Sequence, residues 1–553
     1  MGDIRDLNRR LGELRTERSS WWQHWQELSQ NLLPVNGRFF VTDRNRGLKR
    51  YNSIYDSTGG DAVNVLVAGM MSGMTSPSRP WFSLTLADRD VMKVQSVKVW
   101  LNQVTGIIQE VFAKSNVYRA LHGIYEELAV FGTASSFMAD DYKNIIHMQS
   151  FTIGEYSIDT DWKGEVVTLY REFQKTVGAI VKEFGYTNCS PNVQALFDKG
   201  ALGAWITIVH AIEPRADRER EYGSPGSKNM PWKSCYFERD IQDKYLRESG
   251  FKSYPCVSPR WKITGTDVYG TSPGMYALGD VKALQTGEFR KMQAIDYKAN
   301  PPLQVPSYLK NRELEIFPGG INYYDASSAV QGIKTAFEVQ LDIRELLMSQ
   351  QDIRHRINSA FFKDIFLMIS SQPANGQMTA TEVAARNEEK MLMLGPVIER
   401  LSNELLDPLV ETVFERLLTG GLLPPPPQEL QGHDLNVEYT SILAQAQKSI
   451  SVAGIDRFVT NMGQLATIKP NVLDNFDEDK WAEIYSDKLG VDPELMIAGE
   501  QVALIRQQRS QAQAQQQKQE AILQASQAAH NLGNISSTPG NLVSDTIQKI
   551  QTR

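Results

Sequence analysis

Apolar residues at the N-terminus recur with the period of a helix. Leucines and tryptophans lie three or four positions apart, apart from one gap, at Leu7, Leu11, Leu14, Trp21, Trp25, Leu28 and Leu32. Only Arg18 interrupts this stripe, and Pro34 ends the predicted helix because its ring cannot continue one. A stripe of this kind is typical of a face that docks on the same fold. A two-stranded coiled coil is the alternative.

The pattern then changes from helical period to alternation. Helices are predicted over 61–74, 91–112 and 117–131, with a short strand at 81–86. From Phe151 to about Trp261 apolar and polar residues alternate, which is typical of half-buried strands, and a helix is predicted within this region at 176–184. Asp161-Trp162-Lys163-Gly164 is predicted as a turn between two of the strands. The region therefore predicts an antiparallel β-rich subdomain.

Two long helices flanking a proline-bounded insert are predicted next. The first begins at Pro273 and ends at Asn300-Pro301-Pro302. Its apolar residues fall within an arc of about 140° on a helical wheel. They are Ala277, Leu278, Val281, Leu284, Phe289, Met292 and Ile295. The second helix is predicted from Ala329 to Ile369, with Ile333, Phe337, Leu341 and Met348 on one side.

The remaining chain predicts more helices. A loop at 370–378 precedes a capping box of Thr379 and Glu382, which opens a helix to about Leu418. Gly395-Pro396 and Pro408 predict that this helix is kinked. After four prolines at 424–427, a strand at 435–439 and further helices from about Ile442 are predicted. Acidic residues 474–479 are interpreted as partners of a helix N-terminus. The glutamine-rich stretch 507–527 predicts a polar helix, and 531–540 disorder.

Composition narrows the class of protein. The 553 residues are 41% hydrophobic and 22% charged with a net charge of −7, so a large core is expected and a general DNA-coating protein is not. The three cysteines lie far apart, which makes a disulfide framework improbable. The longest apolar run, 62–71, is far shorter than the roughly 20 residues that cross a bilayer. We expect a soluble product made in the cytosol, with no metal site or cofactor.

One segment matches a catalytic motif. Gly270-Thr271-Ser272-Pro273-Gly274 fits the GxSxG pattern of the hydrolase nucleophile elbow. In that elbow the amide after the serine stabilises the oxyanion, and Pro273 has no amide hydrogen to donate. The preferred interpretation is that Ser272 caps a helix and Pro273 is its first residue. We therefore predict that the chain is not an enzyme, and keep a hydrolase as a minor alternative.

Several motifs together resemble a known family. They occur at 55–62, 66–71, 75–77 and 79–82, and again at 378–383. Their order resembles that of the head-to-tail connector (portal) proteins of short-tailed bacteriophages. The order of helix, proline-bounded insert, helix, loop and helix is similar to the stem, clip, stem, channel loop and wing helix of that family. The resemblance covers roughly residues 5 to 520.

The resemblance implies an α+β, mainly helical subunit that assembles into a closed ring of about twelve copies. It implies these parts: a wing at 1–269, a first stem helix at 270–299, a clip at 300–329, a second stem helix at 330–369, a channel loop at 370–378, a long kinked helix and wing return at 379–439, a helical crown at 440–525, and a tail at 526–553 that is flexible or extends the crown as a barrel.

The resemblance also implies site residues. The DNA-facing candidates of the channel loop are Gln372, Asn375 and Gln377, and the candidates for lining the stem are Lys334, Arg344 and Lys363. The candidates for motor and adaptor docking at the clip are Pro301, Pro302, Tyr308, Lys310, Arg312 and Phe317. The loop has no lysine or arginine, so a basic clamp on phosphates is not supported there.

The implied partners are those of a portal vertex in the virion. They are the terminase large subunit, tail adaptor or nozzle proteins, major capsid and scaffolding proteins, internal core proteins, and double-stranded DNA that passes through without sequence specificity. Basic residues on the two long helices alternate with acids, so we interpret them as a solvated face or as subunit contacts. A tail adaptor or an internal core protein is the alternative function.

Overall fold

The computed structural model describes residues 4–42, 52, 54–88, 90–216, 226–239, 241, 244–304, 334–335, 343–370, 394–430, 432, 435–440, 456, 458–465, 469, 471, 476–489 and 499–533. The chain divides into two units, 1–89 with 100–454 and 90–99 with 455–553. Helices and antiparallel sheets occur together in the larger unit, which confirms the predicted α+β class.

The first elements follow the predicted pattern closely. They are α1 (Ile4–Asn31), α2 (Thr58–Gly73) and β1 (Phe82–Leu86). The leucines of the first half of α1 pack on Tyr170, Val209 and Phe237 of the sheet described below, which confirms docking on the same fold. The interrupting Arg18 is buried too, and donates to the carbonyl oxygens of Gly154 and Tyr156. A cation therefore fits into the apolar stripe because backbone oxygens receive it.

Two helices and a small sheet come next. They are α3 (Gln95–Lys114), α4 (Val117–Phe131), β2 (Ser135–Asp141) and β3 (Ile145–Phe151). The helix predicted from residue 91 begins only at Gln95, after a 3-10 turn at Val91–Lys93. β2 and β3 form a hairpin that the sequence did not predict. The first four residues of β2 are all buried, so the chain there does not alternate.

A five-stranded antiparallel sheet forms the predicted β-rich region. Its elements are β4 (Tyr156–Thr160), β5 (Val166–Thr176), α5 (Val177–Phe184), α6 (Pro191–Asp198), β6 (Trp205–Pro214), β7 (Trp232–Glu238) and β8 (Tyr245–Phe251). The strand order is β4-β5-β6-β7-β8, and β9 (Cys256–Val257) pairs instead with β2. The predicted turn at 161–164 is confirmed, with Gly164 at φ 83°.

The predicted pair of long helices is only partly confirmed. The elements are α7 (Pro273–Ala299), β10 (Leu303–Gln304), β11 (Lys334–Thr335), α8 (Ile343–Ala360) and α9 (Lys363–Ser370). α7 agrees with the prediction. The prediction of one helix from 329 to 369 is wrong, because Lys334 and Thr335 pair antiparallel with Gln304 and Leu303. Backbone bonds to β10 replace helical ones there, and a second break separates α8 from α9.

The third long helix is irregular where a kink was predicted. Residues 394–401 are helical, a π-helical turn follows at Ser402–Leu406, and α10 (Asp407–Thr419) has Pro408 in its first turn. The proline lacks an amide hydrogen, so the regular ladder cannot pass through this point. The predicted strand is confirmed as β12 (Leu435–Tyr439), which pairs antiparallel with β1. The capping box at Thr379 lies outside the described residues.

The described residues of the second unit are mostly helical. Its longest elements are α11 (Glu478–Leu489) and α12 (Gly499–Gly533). Asp477 Oδ1 accepts the Lys480 amide at 3.0 Å, and Glu478 and Asp479 lie in the first turn, so these three acids are confirmed as partners of a helix N-terminus. Asp474 lies outside the described residues. α12 continues beyond the predicted boundary at 525, through part of the stretch predicted as disordered. Among the described residues, no helix meets the length and apolarity that a membrane span requires.

Candidate functional site

The start of α7 is fixed by Ser272. Its hydroxyl accepts the Met275 amide at 3.0 Å and donates to the carbonyl oxygen of Val130 in α4 at 2.6 Å. The residue is 0% exposed. The predicted helix cap is confirmed. The hydroxyl is buried, donates to Val130 and accepts from Met275, so it is not placed to attack a substrate. Gly274 lets the two helices approach, because a Cβ there would lie 2.9 Å from the Val130 oxygen.

α4 also carries a buried carboxylate. Glu127 accepts hydrogen bonds from the Asn36 amide nitrogen at 2.8 Å, the Thr152 hydroxyl at 2.7 Å and the Ile153 backbone amide at 3.0 Å. Burial raises the pKa of Glu127 to about 7, although these donors favour the ionised form. The side chain thereby joins α4, the segment after α1 and the loop after β3.

The apolar stripe of α7 divides into two parts. The inner half, from Ala277 to Leu284, is buried in the subunit. In the outer half Phe289 is 41%, Met292 51% and Ile295 47% exposed, although they continue the same face. Two apolar residues of α8, Leu347 and Met348, are exposed as well. Exposed apolar residues on two helices that pack together are typical of a protein contact surface.

A polar cluster lies where the two halves of α7 meet. Arg354 of α8 donates to Asp56 Oδ2 from Nε at 2.9 Å and from Nη2 at 2.7 Å, and to Glu288 Oε1 at 2.7 Å. Gln285 accepts the backbone amides of Tyr55 and Asp56 and donates to the Asp56 carbonyl. Burial raises the pKa of Asp56, but hydrogen bonds from Thr58 and Arg354 outweigh it and hold that pKa below its ordinary value. We call Asp56, Gln285, Glu288 and Arg354 the polar clasp.

Three other basic residues of the helix pair form ion pairs within the chain. Arg356 pairs with Asp280 at 2.9 Å and with Asp352 at 2.6 Å, and Lys282 pairs with Glu27 at 3.0 Å. Lys291 pairs with Glu288. A cation already matched by a carboxylate has little attraction left for a phosphate, so these side chains do not form a phosphate track.

The predicted stem residues lie in three different elements. Lys334 is in β11, Arg344 is in the first turn of α8, and Lys363 is the first residue of α9. Lys334 therefore lies in a strand rather than in the predicted stem helix, because it pairs with Gln304. That the three residues line the channel stays a prediction.

Most predicted residues of the clip and the channel loop lie outside the described residues. These are Tyr308, Lys310, Arg312 and Phe317 of the clip, and Gln372, Asn375 and Gln377 of the loop. Pro301 and Pro302 are described and follow Asn300, the C-terminal cap of α7, where a proline cannot continue the helix.

The chain is a head-to-tail connector: it belongs to the family described as bacteriophage head to tail connecting protein, whose model matches residues 5–497. It is 54% identical over 537 residues, 97% of this chain and 96% of the relative, to a probable portal protein of Bordetella phage BPP-1. It is 42% identical over 513 residues, 92% of either chain, to the portal protein of Salmonella phage epsilon15. The resemblance to portal proteins of short-tailed phages is therefore confirmed.

The comparison with solved structures is much weaker. The neck of an empty gene transfer agent particle, computed with C6 symmetry, covers 81% of this chain and 95% of its own with 10% identity and a TM-score of 0.36. The family is a structural one of the phage particle.

Proposed function

We propose that copies of this chain close into a ring that conducts double-stranded DNA at one vertex of the phage head, during both packaging and ejection. The observation that carries the proposal is the outer half of α7, where Phe289, Met292 and Ile295 continue a buried stripe into solvent. Burying an exposed apolar side chain stabilises a contact by about 1.5–3 kcal/mol, so binding of a second protein surface over this face is favourable.

A neighbouring copy of the same helix pair is the occupant that a connector requires. Contacts between different faces of identical chains generate a ring when the rotation closes. Each subunit contributes one α7 and one α8, and the polar clasp fixes the two helices against each other within the subunit. About twelve copies remain our expectation from the family.

The charges suit a conduit through which DNA slides. Duplex DNA carries one charge per about 1.7 Å of axis, so a strongly basic bore would hold it. The subunit has a net charge of −7, and Lys282, Lys291, Arg354 and Arg356 are paired with acids. We therefore expect DNA binding that is weak, sensitive to salt and independent of sequence. A ring that bound one sequence with nanomolar preference would contradict this.

The remaining parts of the proposal follow from family membership. The clip would bind the terminase large subunit first and tail adaptor or nozzle proteins afterwards. Major capsid and scaffolding proteins would surround the wing, and internal core proteins would meet the crown. The chain would be made in the host bacterial cytoplasm, enter the virion at the portal vertex and perform no chemical reaction. An esterase assay of Ser272→Ala addresses the last point, since unchanged background activity removes the hydrolase alternative.

Native mass measurement and end-on single-particle images of the purified chain test the ring. We expect closed rings with an open centre for the wild type and loss of rings in the double variant Met292→Asp, Ile295→Asp. Tyr142→Asp is a matched control, because Tyr142 is 108% exposed at the tip of the β2–β3 hairpin and should not affect assembly. A compact monomer with no central opening, even with assembly partners present, would overturn the proposal and favour another virion component.

A further inference from the structure

The junction between α8 and α9 holds a bulky residue in a backbone conformation that L-amino acids avoid. Phe362 has φ 55°, in the left-handed region, where Cβ crowds the following carbonyl oxygen. The stretch 343–370 contains neither glycine nor proline. The local sequence therefore favours one continuous helix, and the break is imposed by other contacts.

The hydrogen bonds at the junction show what the break costs. The Phe362 amide donates to the Ser359 oxygen at 3.1 Å, and the Ile365 amide to the Phe362 oxygen at 3.0 Å, so both bonds span three residues rather than four. Lys363 and Asp364 open α9, where amides have no acceptor within the helix. In a continuous helix these two amides would donate to Ser359 and Ala360.

A buried polar atom adds to the cost. Within the described part of the chain, Asn358 Oδ1 is buried in the last turn of α8 without a hydrogen-bond donor. Such an atom loses its interactions with water and gains none in return. The broken form is therefore locally unfavourable in its backbone and in a side chain that lies one turn away.

Contacts with α2 hold the broken form. Phe361 is 0% exposed, and Phe366 packs so tightly on Gly69 of α2 that a Cβ at residue 69 would overlap its ring. The Phe362 ring lies 6.3 Å from that of Trp261, centroid to centroid. Since residues 365 and 366 lie beyond the break, straightening the helix would withdraw Phe366 from Gly69.

We propose that the α8–α9 junction is a two-state hinge. In one state Phe362 is left-handed and Phe366 is docked on Gly69, and in the other 343–370 form one continuous helix. The broken state has a strained backbone and a docked Phe366, whereas the continuous state has neither. Because these two contributions oppose each other, both states can be populated. The hinge sets the direction in which the chain leaves α9, whose last residue, Ser370, is the first of the predicted channel loop at 370–378. This consequence rests on the proposed function, whereas the hinge itself does not.

Hydrogen exchange at the Lys363 and Asp364 amides tests the hinge, because they are bonded only in the continuous helix. The matched variants are Phe362→Gly and Phe362→Ala, which both remove the ring and differ by one methyl group. Glycine adopts positive φ freely and alanine favours a helix, so the ratio of continuous to broken helix should differ about 30-fold between them. We expect fast exchange in the glycine variant, as in the wild type, and several-fold slower exchange in the alanine variant.

Gly69→Ala tests the same equilibrium with the Phe362 ring intact. It should disturb the docking of Phe366 and slow the exchange of the two amides. Gly106→Ala is the control, because the space around Gly106 in α3 is open. Exchange as fast in Phe362→Ala and Gly69→Ala as in Phe362→Gly would overturn the hinge. Hydrogen exchange can be measured without assembly of the subunits into a ring. Failure of the hinge and failure of the proposed function are therefore distinguishable.

Discussion

The two halves of α7 have the same sequence pattern and opposite surroundings. From Ala277 to Leu284 the apolar face packs within the subunit, and from Phe289 to Ile295 the same face is exposed. The polar clasp marks the boundary, with Glu288 and Gln285 both buried on α7. Helical periodicity records that a face will be covered, but not whether the cover belongs to the same chain.

The largest loss of stability should come from substitutions in the inner half of α7. Leu284→Ala removes a side chain that is 1% exposed and leaves a cavity, so we expect the free energy of unfolding to fall by about 2–5 kcal/mol. Denaturant unfolding of the dissociated subunit measures this. A change below about 1 kcal/mol would show that the inner half is not a core.

The second largest effect on stability depends on pH and arises from Glu127 in α4, the helix that packs on the inner half of α7. Burial raises the pKa of Glu127 from 4.5 to about 7, so the folded state keeps a proton that the unfolded state releases. The free energy of unfolding should therefore fall by roughly 3 kcal/mol as the pH rises from 4.5 to about 7. Glu127→Gln should remove this contribution, and Ile295→Ala should retain it. Parallel profiles for wild type and Glu127→Gln would contradict the assignment.

A smaller effect is expected at the boundary. Glu288→Gln removes the carboxylate that Arg354 and Lys291 share, and we expect a loss of about 1–2 kcal/mol that salt reduces. Asp352→Asn is the control, because its pair with Arg356 is largely exposed and should contribute under about 1 kcal/mol. Equal losses in the two variants would show that the clasp is an ordinary surface feature.

The smallest effect on the subunit should come from the outer half. Ile295→Ala should change the unfolding of the dissociated chain by no more than about 0.5 kcal/mol, because the side chain is already 47% exposed. The same variant should raise the protein concentration at which rings form, as light scattering measures. A stability loss like that of Leu284→Ala would remove the distinction between the two halves.

The sequence predicted features that depend on local chemistry. Proline and serine fix the start of α7 within a few residues, and the stripe of α1 is regular enough to identify its buried face. The sequence-based prediction failed where residues far apart in the chain determine the local structure. β11 forms because β10 offers a partner, and Asp56 and Arg354 are 298 positions apart, so no local signal joins them. The left-handed Phe362 depends on α2 and leaves no trace in its own segment.

The pairing of β1 with β12 has a consequence for how the chain is made. The ribosome releases Phe82 long before Tyr439, its partner in the register. A chain that stops before residue 435 leaves β1 without its partner strand, so the edge of β1 that faces β12 keeps unpaired backbone groups. Truncated products would thus expose an unpaired strand edge to cellular quality control, which favours completed subunits in the particle.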